Sequence, residues 1–278
     1  MKLFWKSYIP RIYKNILWLF FPHRCVFCNE VVKRKEITCQ KCEKEVKFIK
    51  DNTCRLCGRD IENCFCGNEK CYYLRNVTCF YYHKAGAKGI INFKVSYPDD
   101  RKLDVFSDFM ADKIKKSYIG VDFDIIAPVP LHKRKFRKRG YNQSFLLAKW
   151  ISKKSDIKLI GDLLIKWKET PGQHKLNREE RRKNLKDSFK VNEKYDIKGL
   201  RILLIDDVIT TGSSLNECSR MLIKMGADSV YCATLAATGK RRNKIVGSDN
   251  RYRFGNVFGG CFFKRERNHF RGAVRSRL

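Results

Sequence analysis

The chain has 278 residues, 43% of them hydrophobic, enough to bury the core of one or two domains. Its 60 Lys and Arg against 29 Asp and Glu leave a net charge of +31. Such a field is tolerated where the partner is anionic (nucleic acid, anionic lipid or phosphorylated small molecules), with a merely solvated basic surface as the competing reading.

Residues 1–21 read as a short helix with Phe4, Tyr8, Ile12, Ile16 and Leu19 on one face. The apolar run from Ile16 to Phe21 is far shorter than the ~20 residues that span a bilayer, and no small-residue cleavage site follows it. Packing against the next module is the expected role. Membrane-surface contact through this basic, aromatic end is the alternative.

Residues 22–71 form a cysteine module. Of thirteen cysteines, ten lie between Cys25 and Cys79. Without a signal peptide, this distribution excludes an extracellular disulfide framework and implies metal-binding thiolates in a reducing cytoplasm. Cys25-x-x-Cys28 and Cys39-x-x-Cys42 are two knuckles that can close on one tetrahedral Zn²⁺. A second set starts at Cys54-x-x-Cys57-Gly58 and is completed by Cys64-x-Cys66, with Cys71 as competitor. Four sulfurs per ion make both sites structural, and a segment this poor in apolar residues needs them to fold. Cys79, among Val77, Phe80, Tyr81 and Tyr82, reads as a buried strand thiol.

From residue 72 to 238 the pattern becomes α/β. Strand Asn76–Tyr82 leads into helical runs at Ala87–Phe93 and Leu103–Lys116. Phe123–Ala127 reads as a buried strand stopped by Pro128 and Pro130. A basic loop follows, LHKRKFRKR from Leu131 to Arg139, and RGYNQ then opens a helix through Trp150. Lys133, Arg134 and Arg139 are candidate pyrophosphate ligands, because arginine forks match phosphate oxygens. Thr170–Asn184 reads as an exposed helix of alternating charge after a Pro171-Gly172 turn, and its His174 is an unpromising catalyst. No Ser/His/Asp or Cys/His nucleophile arrangement stands out.

The stretch RILLIDDVITTGSS, Arg201–Ser214, carries the chemistry. Ile202–Ile205 is a buried strand with Asp206 and Asp207 at its carboxyl end, and Leu215, Cys218, Leu222 and Met225 recur at helical spacing up to Gly226. Open α/β sheets bind ligands at that edge. The loop Thr210-Thr211-Gly212-Ser213-Ser214 before a helix N-terminus is a phosphate cradle. The two carboxylates suit sugar hydroxyls, or a hard cation such as Mg²⁺ beside them. A ligand with a ribose and a 5′-phosphate satisfies both, and the missing GxxxxGK[ST] pattern argues against a nucleoside-triphosphatase. Ser229–Leu235 is one more buried strand. The segment 239–278 has twelve Lys and Arg against two acids, so it carries +10 of the charge. It reads as a disordered nucleic-acid arm or as an unselected extension.

IDDVITTGSS resembles the 5-phosphoribosyl-1-pyrophosphate (PRPP) motif of type I phosphoribosyltransferases. The two cysteine sets, Pro128–Pro130, RGYNQS from Arg139, the Gln173…Arg178…Asn184…Phe189 block and the PRPP-like motif follow one another as in the ComF family. The resemblance covers about residues 15 to 238. It implies a parallel sheet flanked by helices behind a double zinc ribbon, with PRPP and Mg²⁺ bound by Asp206, Asp207, Thr210, Thr211, Gly212, Ser213 and Ser214. It also implies a part in natural transformation, with single-stranded DNA and DNA-uptake or recombination proteins as partners. The expected location is the cytoplasm or the inner membrane face. Lys33, Arg34, Lys35, Lys41, Lys44 and Lys47 extend the basic track, beside which Tyr72, Tyr73 and Phe136 are candidates to stack on unpaired bases.

Overall fold

A computed structural model describes residues 22–67, 70–95, 100–169 and 183–239. The expected helix 1–21, most of the charged block 170–184 with Gln173, His174 and Arg178, and the tail lie outside these residues.

Five strands form one parallel sheet in the order β1-β7-β6-β2-β3. They are β1 (Arg75–Tyr81), β2 (Ile125–Pro128), β3 (Lys158–Leu159), β6 (Arg201–Ile209) and β7 (Ser229–Ala237). The central strand β6 buries Leu203 and Ile205 on one face and Ile202 and Leu204 on the other. Both faces are covered, so the strand reads as an unbroken apolar run. Helices α2 (Lys84–Val95), α3 (Asp100–Ser117) and α5 (Gln143–Ser155) supply Ile90, Phe106, Met110 and Leu147 to the first face. Helix α6 (Ser213–Lys224) packs Leu215, Cys218 and Leu222 on the second. Beside it lies an antiparallel ribbon of β4 (Leu164–Lys166) and β5 (Phe189–Val191), too short to show in the sequence pattern. Met225, expected on the apolar stripe, is 39% exposed at the helix end.

One expectation is corrected. Leu131–Arg139 is not a loop: residues Lys133–Arg139 form helix α4, which His132 caps by accepting from the Arg134 N–H and which Gly140 ends in the left-handed region. Lysine and arginine are good helix formers, and capping at both ends stabilises a helix this short. The strand before this helix does stop at Pro128, as expected. Pro128 is the last paired residue of β2, opposite Ile205, where a missing N–H is harmless.

The cysteine module is built into the sheet's edge. On the outer side of β1, Ile49 N–H donates to Cys79 O, Tyr81 N–H to Lys47 O, and Asn76 N–H to Arg55 O. An edge that could template aggregation is thereby covered. The first cysteine set straddles a short helix, α1 (Gln40–Glu45). It joins the first core, where Phe27 meets Phe80 edge-on at 5.6 Å and Phe106 at 5.7 Å. The second set leans on the other face, with Cys57 in the α6 core. Cys79 is buried as expected, and burial pushes its thiol up to about 12. Phe80, fully buried between the module and the sheet, is the joint. Phe80→Ala should destabilise the chain by ~3–5 kcal/mol, read as a lower urea midpoint with an unchanged slope.

Candidate functional site at the carboxyl edge of the sheet

Strand β6 outlasts its neighbour. β2 stops at Pro128 opposite Ile205, while β6 continues along β7 to the pair Ile209–Ala237. Asp206 and Asp207 therefore lie inside the strand, not beyond it, and among the described residues no strand pairs with that flank there. The strand's alternation sends them to opposite faces. Asp207 meets Lys94, from the end of α2, at 2.8 Å. Asp206 Oδ1 accepts from Ser144 Oγ at 2.9 Å and from the Asp207 N–H at 2.9 Å. Ser144 sits in the first turn of α5, which Asn142 caps.

Burial, reinforced by the Asp207 charge, pushes the Asp206 carboxyl up to about 7. Burial disfavours the Lys94 ammonium, but Asp207 outweighs it and holds the group above the ordinary lysine value. Burial, with Arg139 and Lys94 nearby, lowers Lys135. Burial and the Lys135 charge pull Lys166 down to about 8. Lys94, Lys135, Arg139 and Lys166 therefore feel one another's charge near Asp206, Asp207 and Glu169, an arrangement that an added anion would relieve.

The small-residue loop follows directly. Gly212 adopts φ +78 and precedes the first residue of α6; a Cβ there would lie 3.2 Å from Tyr73 Oη. Glycine tolerates that backbone, and the turn aims the α6 N-terminus outward. Thr211 Oγ1 and Ser213 Oγ share a hydrogen bond of 2.8 Å. Of the expected pyrophosphate ligands, Arg139 lies at the site and donates to Gln143 Oε1 at 2.7 Å. Arg134 instead reaches Glu169 at 3.1 Å on the exposed rim, and Lys133 is exposed on the same helix. Tyr73 is buried and donates to Leu56 O, so it has no ring face to offer a nucleobase.

The structure gathers Cys25, Cys28, Cys39 and Cys42 in one group, and Cys54, Cys57, Cys64 and Cys66 in another, the sulfurs of each within 4.8 Å of one another. Four thiolates at the usual Zn–S length stand about 3.8 Å apart across a tetrahedron. Cys28 and Cys39 are 3.6 Å apart, and Cys57 and Cys64 are 3.7 Å apart, so both groups fit structural zinc. Cys71 lies outside the second group. It lines a small cleft with Cys57, Cys66, Tyr73 and Gly212.

Comparison with known proteins agrees with this architecture. The model of the double zinc ribbon domain matches residues 16–74, and that of the phosphoribosyl transferase domain matches residues 142–258. Competence protein F of Haemophilus influenzae is 30% identical over 235 residues, covering 78% of this chain and 98% of that protein. The chain belongs to the ComF family.

Another ComF relative, Competence protein ComFC of Bacillus subtilis, is 28% identical over 222 residues, covering 74% of this chain and 86% of that protein. DNA utilization protein YhgH of Escherichia coli is 33% identical over 115 residues, covering 41% of this chain and 50% of that protein. The transferase match runs to residue 258, past the boundary expected at 238.

Sequence reasoning on this ComF chain missed Lys94, Ser144, Lys135 and Lys166. Each stands on a different element from the acids, and only the fold brings them there. One signal was available: Ser144 closes RGYNQS, the string singled out for Arg139.

The raised Asp206 pKa has a measurable consequence. The unfolded carboxyl loses its proton near its ordinary value of 3.8, whereas the folded one keeps it to about 7. In that window the native state binds more protons, so this group's contribution to stability falls as pH rises and stays low above it. Asp206→Asn cannot ionise. Relative to the parent it should gain stability between pH 5 and pH 8, read from urea midpoints at both; an equal gap at the two pH values would show that Asp206 titrates normally.

Proposed function

We propose that this ComF-family chain binds PRPP with Mg²⁺ at the carboxyl edge of its sheet, as a phosphoribosyltransferase-type protein acting in DNA uptake. One observation carries the reading: two carboxylates on the open flank of β6, ringed by Lys94, Lys135, Arg139 and Lys166, lie directly before a small-residue loop at a helix N-terminus. The acids would take the ribose hydroxyls, Thr210–Ser214 the 5′-phosphate, and Arg139 with the lysines the pyrophosphate. Among the described residues, Asp206 Oδ2 and Asp207 Oδ1 carry no hydrogen bond. They are hard oxygen donors of the kind Mg²⁺ takes together with phosphate. In transfer, an acceptor atom attacks the sugar carbon as pyrophosphate leaves into the cationic ring.

On this reading residues 22–71 are the zinc module, with the eight gathered cysteines as ligands, and residues 72–238 are the PRPP domain. Thiolate-held zinc suits a reducing compartment, the cytoplasm. Among the described residues, no helix is long and apolar enough to cross a membrane.

The test is calorimetric. Asp206→Asn with Asp207→Asn should abolish PRPP binding and leave the circular dichroism spectrum in place; an unchanged affinity overturns the reading. Release of pyrophosphate, screened with free bases, nucleosides and single-stranded DNA, then identifies the acceptor class.

A second reading, a non-catalytic single-stranded-DNA factor with PRPP as ligand or regulator, is favoured by helix α4. Its basic residues are mostly exposed, and Phe136 among them is 48% exposed. A stacking ring amid cations suits an unpaired strand. Retention of single-stranded DNA should weaken with salt, with a log–log slope of about 0.7 per neutralised phosphate. Charge reversal of Lys133, Arg134 and Arg137 should flatten that slope; no salt-dependent retention at low ionic strength would remove DNA from the reading.

A further inference from the structure

The second cysteine group does more than fold its own ribbon. Arg59, two residues past Cys57, is 1% exposed. Its guanidinium reaches the carboxyl edge of the sheet from behind. Nε donates to Thr238 O at 2.7 Å, and Nη2 donates to Thr210 O at 2.7 Å and to Ile209 O at 3.3 Å. These carbonyls mark the ends of β6 and β7, where the ladder stops and the phosphate loop begins. The ring of Phe65, held between Cys64 and Cys66, lies 4.3 Å from the guanidinium carbon. The residue that makes the contacts and the ring that covers it thus both belong to the second cysteine group.

The bond to Thr210 O has a geometric effect. In a trans peptide the C=O and the next N–H point in opposite directions. Pulling Thr210 O toward Arg59 turns the Thr211 N–H away from it, to the loop's outer side. The same segment of chain also packs beside the loop and bonds to the start of α6. Tyr73 Oη, beside Gly212, donates to Leu56 O at 2.8 Å. Asn216, in the first turn of α6, accepts from the Tyr72 N–H at 2.7 Å and donates to Lys70 O at 3.2 Å. Contacts of the first cysteine group go elsewhere, to α2 and α3: Asn92 donates to Phe27 O, and Lys102 to Asn29 Oδ1.

We propose that Arg59 is a positioning residue through which the second zinc ribbon fixes the phosphate loop, presetting its donors for the 5′-phosphate of a phosphorylated sugar. The ligand part rests on the PRPP reading; the loop part does not. A guanidinium spans three carbonyls that a lysine ammonium, at the end of a longer flexible stem, cannot all reach in one plane. Removing it takes the guanidinium donor from the part-buried Thr210 and Thr238 carbonyls, while Ile209 O keeps the Thr238 N–H, and leaves the loop free to take other conformations.

The experiment uses the full zinc-loaded chain, as parent, Arg59→Met and Arg59→Lys. Zinc content and the melting transition establish that each variant is folded. Amide exchange at residues 209–216 is then read with the affinities for ribose 5-phosphate and for pyrophosphate with Mg²⁺. In Arg59→Met, exchange at 209–216 should rise about tenfold with Ile202–Ile205 unchanged, and ribose 5-phosphate should bind about tenfold more weakly with pyrophosphate nearly unaffected. Arg59→Lys should fall between, and it carries the test if Arg59→Met does not fold. Cys54→Ser with Cys57→Ser should reproduce the exchange pattern of Arg59→Met, whereas Cys25→Ser with Cys28→Ser should leave residues 209–216 protected. Unchanged exchange at 209–216 in folded Arg59→Met or Arg59→Lys overturns the proposal. A parent chain that binds neither PRPP nor ribose 5-phosphate refutes the PRPP reading instead, and the exchange data still decide the role of Arg59.

Discussion

The site depends on a mismatch in strand length. β2 ends at Pro128, opposite Ile205, and β6 runs on to Ile209 with β7 as its one paired strand among the described residues. A strand paired on both sides presents no backbone and little side chain to a ligand. One that loses a neighbour near its end opens a crevice at the carboxyl edge, where doubly wound sheets bind ligands. Asp206 is the first residue past the end of β2. Its burial is deep enough to raise its pKa and shallow enough for the Ser144 hydroxyl to reach it.

The electrostatics follow from that position. Two adjacent carboxylates in a half-buried crevice repel one another, and the fold answers with Lys94 on one face and Lys166 on the other. Lys135 and Arg139 add further positive charge, with Glu169 near Lys135. Local excess positive charge at the end of a buried strand is an unstable arrangement by itself, consistent with a site organised around an anionic ligand and not around folding. The overall charge of +31 adds a long-range field to this local one. The two differ in screening: the Lys94–Asp207 pair, 2.8 Å apart, is screened little, whereas exposed charges on α4 act through solvent and are screened by salt.

Much of this was legible in the sequence, for reasons that differ by residue. The run Ile202–Ile205 announces a strand buried on both faces, and the knuckle spacing of Cys25, Cys28, Cys39 and Cys42 announces a tetrahedral sulfur site, because both are local patterns. Helix α4 was hidden by its charge: with six Lys and Arg in seven positions it has no apolar stripe, and only its caps betray it. The acids were located one step too far along, at the strand's end, because β6 keeps its pairing to β7 through residues that look like loop. Lys94 and Lys166 carry no local mark at all. Their meaning comes from sheet order, which places α2 and β4 against the same strand end. Tyr73 was misread for the opposite reason: its type suits stacking on a base, and only packing reveals that its ring is buried and its hydroxyl engaged with Leu56.

The two ribbons look alike in sequence but are not equivalent in the fold, and the reason is the sheet between them. The segment that pairs with the outer edge of β1 passes from one face to the other, so the first cysteine group joins the aromatic core of Phe27, Phe80 and Phe106. The second arrives on the α6 face, next to the loop. A zinc ribbon is rigid because its knuckle backbone is held at four points, and rigidity is what the proposed binding through oriented N–H groups of the loop requires. The loop itself has little to hold it: small side chains, one glycine in the left-handed region, and a shared hydroxyl bond between Thr211 and Ser213. Its order must come from outside. The buried guanidinium of Arg59, fixed two residues from Cys57 and bonded to the carbonyls just past the ends of two strands, is the contact in the right place to supply it.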